Sequence, residues 1–327
     1  MTVEISSIAR PKESEGPPML STITRCRELL ISRGAPNVLE EGVLWYVNNG
    51  IILPWGPAKG NYSPSPGASK RIFRELHAPM MLLTDAFVEE ETPWYAVICS
   101  KFIPLEEMKS KDRNKLRRGF KKCQVELVDA EYVAKNGYET MSEACKSYEG
   151  YEGHLPPEQE WRKKIQDNAP FGDILHYWAV LNEGKMIAFS ENYVYDKIEA
   201  SLSATKIHPK YLLLYPGYAL IYKMNEYYLN QGFECVNDGW RSIRHQTQIQ
   251  EFLIDKFGFK KAFAHLRLEY KPSLRIPAWL AYPFMGLLGK FNGRLETLHR
   301  LQRISRGLEP SSHVLEENAQ GDDGDPS

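Results

Sequence analysis

The sequence predicts a mixed α/β fold: a central mixed sheet with helices on both faces, and a smaller N-terminal lobe. Three observations carry this. Segments that alternate with period two recur between segments with a 3.6-residue apolar stripe, the pattern of strands interleaved with helices. The 327 residues exceed one average domain, and 43% hydrophobic with 25% charged residues is the balance of an ordinary globular chain. The block from Pro209 to Phe259 reads as turn, helix, strand, helix and a closing Gly-Phe step.

The elements follow in order. Residues 1–18 are polar and contain prolines, and read as a disordered lead. Thr22 to Arg33 reads as a helix stopped by Gly34-Ala35-Pro36. Val43–Tyr46 and Ile51–Trp55 flank Asn48-Asn49-Gly50, a hairpin signal. Ala58 to Ala68 is a Gly/Pro/Ser loop, and Ser69 to Phe87 reads as mainly helical, interrupted near Pro79. Trp94 to Ser100 reads as a buried strand. Lys109 to Lys122 carries eight Lys or Arg in fourteen residues, followed by a strand from Gln124 to Val128. Helices are expected over Ala130–Tyr148 and Pro156–Asn168.

A β-meander comes next: His176–Leu181, Met186–Ser190 and Ile198–Thr205. The third strand alternates, with Ile198, Ala200, Leu202 and Ala204 on one face and Glu199, Ser201, Ser203 and Thr205 on the other. A helix follows Gly217, then an apolar strand from Phe233 to Val236 ending at Asn237-Asp238-Gly239, a second helix, and a last strand from Phe263 to Tyr270. The expected organisation is a lead (1–18), an N-terminal lobe (19–105), the main α/β domain (106–272), an apolar and basic extension (273–309) and an acidic, disordered tail (310–327).

Composition narrows the function. A net charge of −1 offers no global field for nucleic acid, so DNA is not an expected partner. The five cysteines are scattered with no CxxC pair, which argues for free thiols in a reducing cytoplasm. The histidines form no HxH or HExxH pair, so no metal is expected. No secretory signal is visible. The longest apolar run, Ile276 to Gly289, contains Pro277 and Pro283 and is shorter than the roughly 20 residues a spanning helix needs. With Lys271, Arg275, Lys290 and Arg294 around it, the 276–294 region either docks on the core or lies at the inner membrane face, and its prolines argue against one regular helix.

Three motifs carry chemistry. The turn Leu214-Tyr215-Pro216-Gly217-Tyr218-Ala219 opens a helix, where backbone N–H groups can hold a diphosphate; the plain alternative is a helix-start glycine. Asn237-Asp238-Gly239-Trp240-Arg241 ends a strand, where Asp238 can take a proton and Arg241 or His245 can hold an anion; the plain alternative is a turn. On the basic block, Lys111, Lys115, Arg118 and Lys122 form a ridge suited to phosphate; the plain alternative is a solvated face.

The block from Trp94 to Lys271 resembles the FemAB-like branch of the GNAT acyltransferase superfamily, including bacterial N-acetyltransferases of cell-surface polysaccharide type. The resemblance rests on the basic block, Trp178-Ala179-Val180 with the Gly184 hairpin, Tyr215-Pro216-Gly217, Asn237-Asp238-Gly239 and Phe252 through Phe259. It implies a GNAT-like sheet and transfer of an acyl group, first of all acetyl, from acyl-CoA to an amine or hydroxyl of a small molecule or cell-envelope precursor. Backbone amides at Tyr215, Gly217, Tyr218 and Ala219 would hold the donor's phosphates. A strand amide near Ser203 to Thr205 would polarise the thioester. Glu191 or Asp238 would act as base with His245 in reserve, and Tyr218 would protonate the leaving thiolate. The sequence departs from the family's [QR]-x-x-G-x-[GA] signature at Leu214, and Pro216 has no N–H. No long coiled-coil insertion is present, which disfavours tRNA-dependent peptidyl transfer. That reaction and a non-catalytic binding protein remain the alternatives.

Overall fold

A computed structural model describes residues 18–147, 154–243, 248–289 and 293–309. The chain opens with α1 (Pro18–Ser32), β1 (Asn37–Glu40), β2 (Val43–Asn48), β3 (Ile51–Trp55), α2 (Pro66–Leu76) and β4 (Met80–Thr84). It continues through β5 (Tyr95–Cys99), α3 (Ser110–Lys122), β6 (Gln124–Val128), α4 (Ala130–Asn136), α5 (Tyr138–Lys146) and α6 (Glu158–Gln166). The meander β7 (Leu175–Asn182), β8 (Lys185–Tyr195) and β9 (Glu199–Ile207) leads to α7 (Pro216–Asn230), β10 (Cys235–Trp240), α8 (Gln248–Phe257), β11 (Lys260–Phe263) and β12 (Leu266–Tyr270). A helical hairpin, α9 (Arg275–Gly289) and α10 (Gly293–Ser305), closes the described chain.

Two mixed sheets result. The seven-stranded sheet has the order β11-β5-β10-β9-β8-β7-β6, and the five-stranded sheet the order β1-β2-β3-β4-β12. One face of the larger sheet is covered by α3, α7 and α8, through Leu116, Leu220, Met224, Tyr228, Leu253 and Phe257. Its other face packs on α1, α4, α5 and α6, through Leu29, Val133, Met141, Trp161 and Ile165. The smaller sheet buries Trp45, Ile52 and Met81 under Ile72 and Phe73 of α2. The mixed α/β fold with helices on both faces is therefore as expected.

Two strands cross the expected lobe boundaries. β5, placed by sequence in residues 19–105, is an inner strand of the larger sheet between β10 and β11, and β12 pairs with β4 in the smaller sheet. The expected single strand from Phe263 to Tyr270 is two strands, because the chain passes from one sheet to the other at Ala264-His265.

Other differences are local. Met80–Thr84, expected helical, is a strand; its apolar run has no helical period, and pairing with β3 and β12 decides it. The expected helix from Ala130 divides at Gly137, where a Cβ would lie 2.9 Å from the Val133 carbonyl and 3.0 Å from Trp161. The strand expected to stop at Val236 continues to Trp240. Residues 275–289 form one helix: Pro277 falls in its first turn, where N–H groups have no intrahelical acceptor, and Pro283 lies inside it, where the Trp279 carbonyl loses its i+4 donor. Among the described residues no helix is long and apolar enough to cross a membrane. The expected lead and acidic tail lie outside the described residues, apart from Pro18 at the start of α1.

Candidate active site

The site begins where two strands part. β9 and β10 are parallel neighbours but share only three register pairs, Glu199–Cys235, Ala200–Val236 and Ser201–Asn237. Past Asn237, β10 shifts register against β5, around Gly239 with φ +98°, while β9 continues along β8. From Leu202 onward β9 thus has no ladder partner on its β10 side among the described residues. Its backbone polar groups there are free to meet a ligand.

A bulge sharpens this edge. Glu191 pairs with Ala204 and Asn192 with Leu202, leaving Ser203 as the extra residue. The clean alternation expected over Ile198–Thr205 therefore fails at Ser203. Thr205 falls opposite Ser190, with the hydroxyls 3.1 Å apart, on the same face as Leu202.

A cavity of about 350 Å³ lies at the divergence. Tyr193, Glu199, Ser201, Ser203, Asn237 and Asp238 line it from the larger sheet, and Tyr46, Trp55, Ala58 and Tyr62 from the N-terminal lobe. The loop after β3 is built around Tyr62, whose hydroxyl donates to the Pro57 carbonyl at 2.7 Å. A Cβ on Gly56 or Gly60 would lie 2.3 Å from the Tyr62 side chain, so a larger residue at either position would push the Tyr62 ring aside. The wrapped loop delivers the Ala58 N–H into the cavity wall.

Two carboxyl groups share this cavity. Glu199 accepts the Ala58 N–H at 2.8 Å and the Asn237 amide at 2.9 Å, yet burial outweighs both bonds and pushes its carboxyl up to about 7. Burial also pushes Asp238 up to about 7, opposed only by a hydrogen bond from Gln250. A carboxyl that titrates near neutrality inside a cleft suits proton transfer. Sequence reasoning placed Glu199 on a polar strand face but did not single it out. Its burial comes from Ala58, 141 residues away in the chain, and nothing in its own neighbourhood signals that.

A second, cationic corner lies at the start of α7. Tyr215 holds a left-handed conformation (φ 59°), Pro216 is the first helical residue, and the first backbone bond of the turn runs from the Ala219 N–H to the Tyr215 carbonyl. The Gly217 and Tyr218 N–H groups therefore point out of the helix start without an intrahelical acceptor. Gly217 sits tight against β9, where a Cβ would lie 3.1 Å from Ile207. α3 crosses the same turn, and a Cβ on Gly119 would lie 3.1 Å from the Tyr215 carbonyl. This crossing sets the Lys115 ammonium 3.1 Å from the Tyr218 hydroxyl and the Arg118 guanidinium 5.4 Å over the Tyr215 ring. Lys111, Arg118 and Lys122 stay exposed. The structure thus brings Lys115 and Arg118 together with Tyr215, Gly217, Tyr218 and Ala219. Two free N–H groups, a helix dipole and a guanidinium fit one diphosphate.

Other expected residues lie elsewhere. The Tyr218 hydroxyl donates to buried Asp112 at 3.2 Å and does not line the cavity. Glu191 accepts from Tyr177 (2.9 Å) and Tyr193 (3.1 Å) and lies 3.6 Å from Arg33, so it sits in a structural knot beneath α1. Arg241 donates to the Pro93 carbonyl at 2.7 Å, tied back toward β5. His245 lies outside the described residues. Among the described residues no group of three His, Cys, Asp or Glu is placed to hold a metal ion.

No family model and no curated protein sequence matches this chain. Solved structures do match its fold. The structure of FemX has 10% identity, covers 77% of this chain and 93% of its own, and gives a TM-score of 0.51. A C-terminal DUF2156 domain assigned to a lysylphosphatidylglycerol synthetase of Agrobacterium fabrum covers 82% of this chain and 96% of its own, at 11% identity and TM-score 0.48. The PaiA N-acetyltransferase of Thermoplasma acidophilum, in complex with coenzyme A, covers 34% of this chain and 74% of its own, at 13% identity and TM-score 0.29. At these identities the likeness to FemX shows a shared fold.

Proposed function

We propose that this protein is an acyltransferase that moves an acyl or aminoacyl group from an activated donor to an amine or hydroxyl acceptor. One observation carries the reading: two carboxyl groups poised near neutrality share a cavity at the point where β9 and β10 part. The acceptor enters from the side of the N-terminal lobe. Its nucleophilic nitrogen or oxygen forms the new bond to the acyl carbon and passes its proton to Glu199 or Asp238, directly or through one water. A free β9 N–H near the Ser203 bulge stabilises the carbonyl oxygen as charge develops on it. The bond to the donor's leaving group then breaks, and the leaving thiolate or alkoxide takes up the proton held by that carboxyl, directly or through water.

The finer reading is an N-acyltransferase that uses acyl-CoA. The donor diphosphate rests on the Gly217 and Tyr218 N–H groups beside Arg118, and the acceptor is a sugar or another cell-envelope precursor. The choice of acyl-CoA rests on the helix-start corner. A second reading, aminoacyl-tRNA as donor, is favoured by the exposed run of cations on α3, which extends past one diphosphate to Arg117, Lys121 and Lys122.

Thermal denaturation with acetyl-CoA, longer acyl-CoAs and charged tRNA separates these readings. A donor at 100 times its dissociation constant adds about 2.7 kcal/mol of stability. A shift with an acyl-CoA supports the first reading. A shift with charged tRNA alone, weakening steeply with salt, supports the second. No shift with any of them leaves a binding protein without donor chemistry and overturns the proposal.

A further inference from the structure

The C-terminal hairpin carries a second surface, remote in sequence from the strand divergence. Helix α9 leaves four large apolar side chains in the open: Ile276 is 71% exposed, Trp279 66%, Leu280 57% and Phe284 63%. Their spacing of three, four and eight residues puts them on one stripe. The helix is not loosely attached. Met285 is buried, Tyr282 packs on His299 at 5.5 Å, and Arg306 covers the Tyr282 ring at 3.8 Å. Gly286 permits the close approach of α10, since a Cβ there would lie 2.9 Å from His299. The hairpin therefore holds the stripe outward.

Beside the stripe lies a cavity of about 400 Å³ between β12, α9 and α10. Arg275, Arg306, Tyr270, Gln302 and Trp279 line it, together with Glu269. Arg275 and Arg306 are exposed at its wall. Gln302 is buried and donates to the Tyr270 hydroxyl, and its own carbonyl oxygen has no hydrogen-bond partner. α9 itself contains no Asp or Glu. The surface thus pairs an apolar stripe with two guanidinium groups, the complement of an amphiphile with a phosphate headgroup.

We propose that α9 docks this protein in the plane of an anionic phospholipid membrane, with the stripe in the acyl boundary and a lipid phosphate between Arg275 and Arg306. At fifteen residues the helix is shorter than the roughly 20 a bilayer span requires, so it lies along the surface. Charge favours a lipid over a second copy of the chain. An isologous contact through this stripe would set each basic rim near its own image, whereas an anionic surface neutralises it. The proposal is independent of the acyl-transfer reading.

Cosedimentation of the full chain with vesicles tests it. Vesicles of phosphatidylcholine containing phosphatidylglycerol should bind the protein at least about tenfold more tightly than phosphatidylcholine alone. Trp279→Ser with Phe284→Ser should lower binding to the mixed vesicles by about tenfold or more at unchanged melting temperature. Arg275→Gln with Arg306→Gln should remove the preference for anionic vesicles and keep the residual affinity for neutral ones. Three results overturn the proposal: no binding to either vesicle, equal binding by the stripe variant, or a dimer in solution that the stripe variant dissociates while vesicle binding is absent. Equal binding of the wild-type chain to both vesicles removes the phosphate site.

Discussion

The high proton affinity of Glu199 should be visible as a pH-dependent loss of stability. In the unfolded chain this carboxyl titrates near 4.5, and in the fold burial raises it to about 7. Between those values the folded state keeps a proton that the unfolded state releases. Stability is then fully present below about 4.5, falls as pH rises toward 7, and levels off above 7. The interval from 4.5 to 7 corresponds to about 3 kcal/mol. Glu199→Gln cannot ionise and escapes this loss. Urea unfolding of both proteins from pH 4 to pH 8 isolates the effect, because other titrating groups cancel in the difference. The stability of Glu199→Gln relative to wild type should rise by about 3 kcal/mol across that range. Parallel stability curves would mean that Glu199 ionises as an ordinary carboxylate and is no better placed than a surface one. Asp238→Asn should show the same pattern, starting near 3.8.

Further perturbations address the fold and the cationic corner. Gly258→Val meets both a φ of +71° and Ile103 at 2.5 Å, and should lower the unfolding free energy by about 3 kcal/mol; an unchanged urea midpoint would contradict this. Glu191→Ala strips Arg33, Tyr177 and Tyr193 of their shared acceptor and should cost about 2 kcal/mol. Donor binding should survive that change, and loss of transfer at full stability would instead make Glu191 the base. Arg118→Glu places a negative charge beside the Gly217 and Tyr218 N–H groups and should weaken donor binding about tenfold, more at low salt. Unchanged affinity by titration would put the donor phosphates elsewhere.

Legibility from sequence followed the range of the interactions concerned. Local signals worked: the Asn48-Asn49-Gly50 hairpin, the helix at Gly217, and the closing Gly-Phe step after α8 all read correctly. Asp238 was visible for a different reason than the fold gives: Asp-Gly reads as a strand end, whereas β10 runs on to Trp240 and shifts register against β5 around Gly239. Pairing properties were not visible. The Ser203 bulge exists only relative to β8, and the exchange of β5 and β12 between sheets is set by partners far away in the chain. Glu199 and Glu191 show the same limit from opposite sides. Both are strand glutamates, and only tertiary contacts make one a cavity carboxyl beside Ala58 and the other the centre of an Arg33–tyrosine knot. In α9 the prolines read as breakers, yet Pro277 falls in the first turn and Pro283 is carried inside the helix.

Whether transfer takes place where β9 and β10 part is decided by a structure of the protein with a bound non-hydrolysable acyl-CoA analogue. The acyl carbonyl oxygen should lie within hydrogen-bond reach of a β9 backbone N–H between Leu202 and Thr205, the diphosphate on the Gly217 and Tyr218 N–H groups, and the acyl carbon facing the cavity that holds Glu199 and Asp238. An analogue seated elsewhere, with its carbonyl away from that edge, would contradict it.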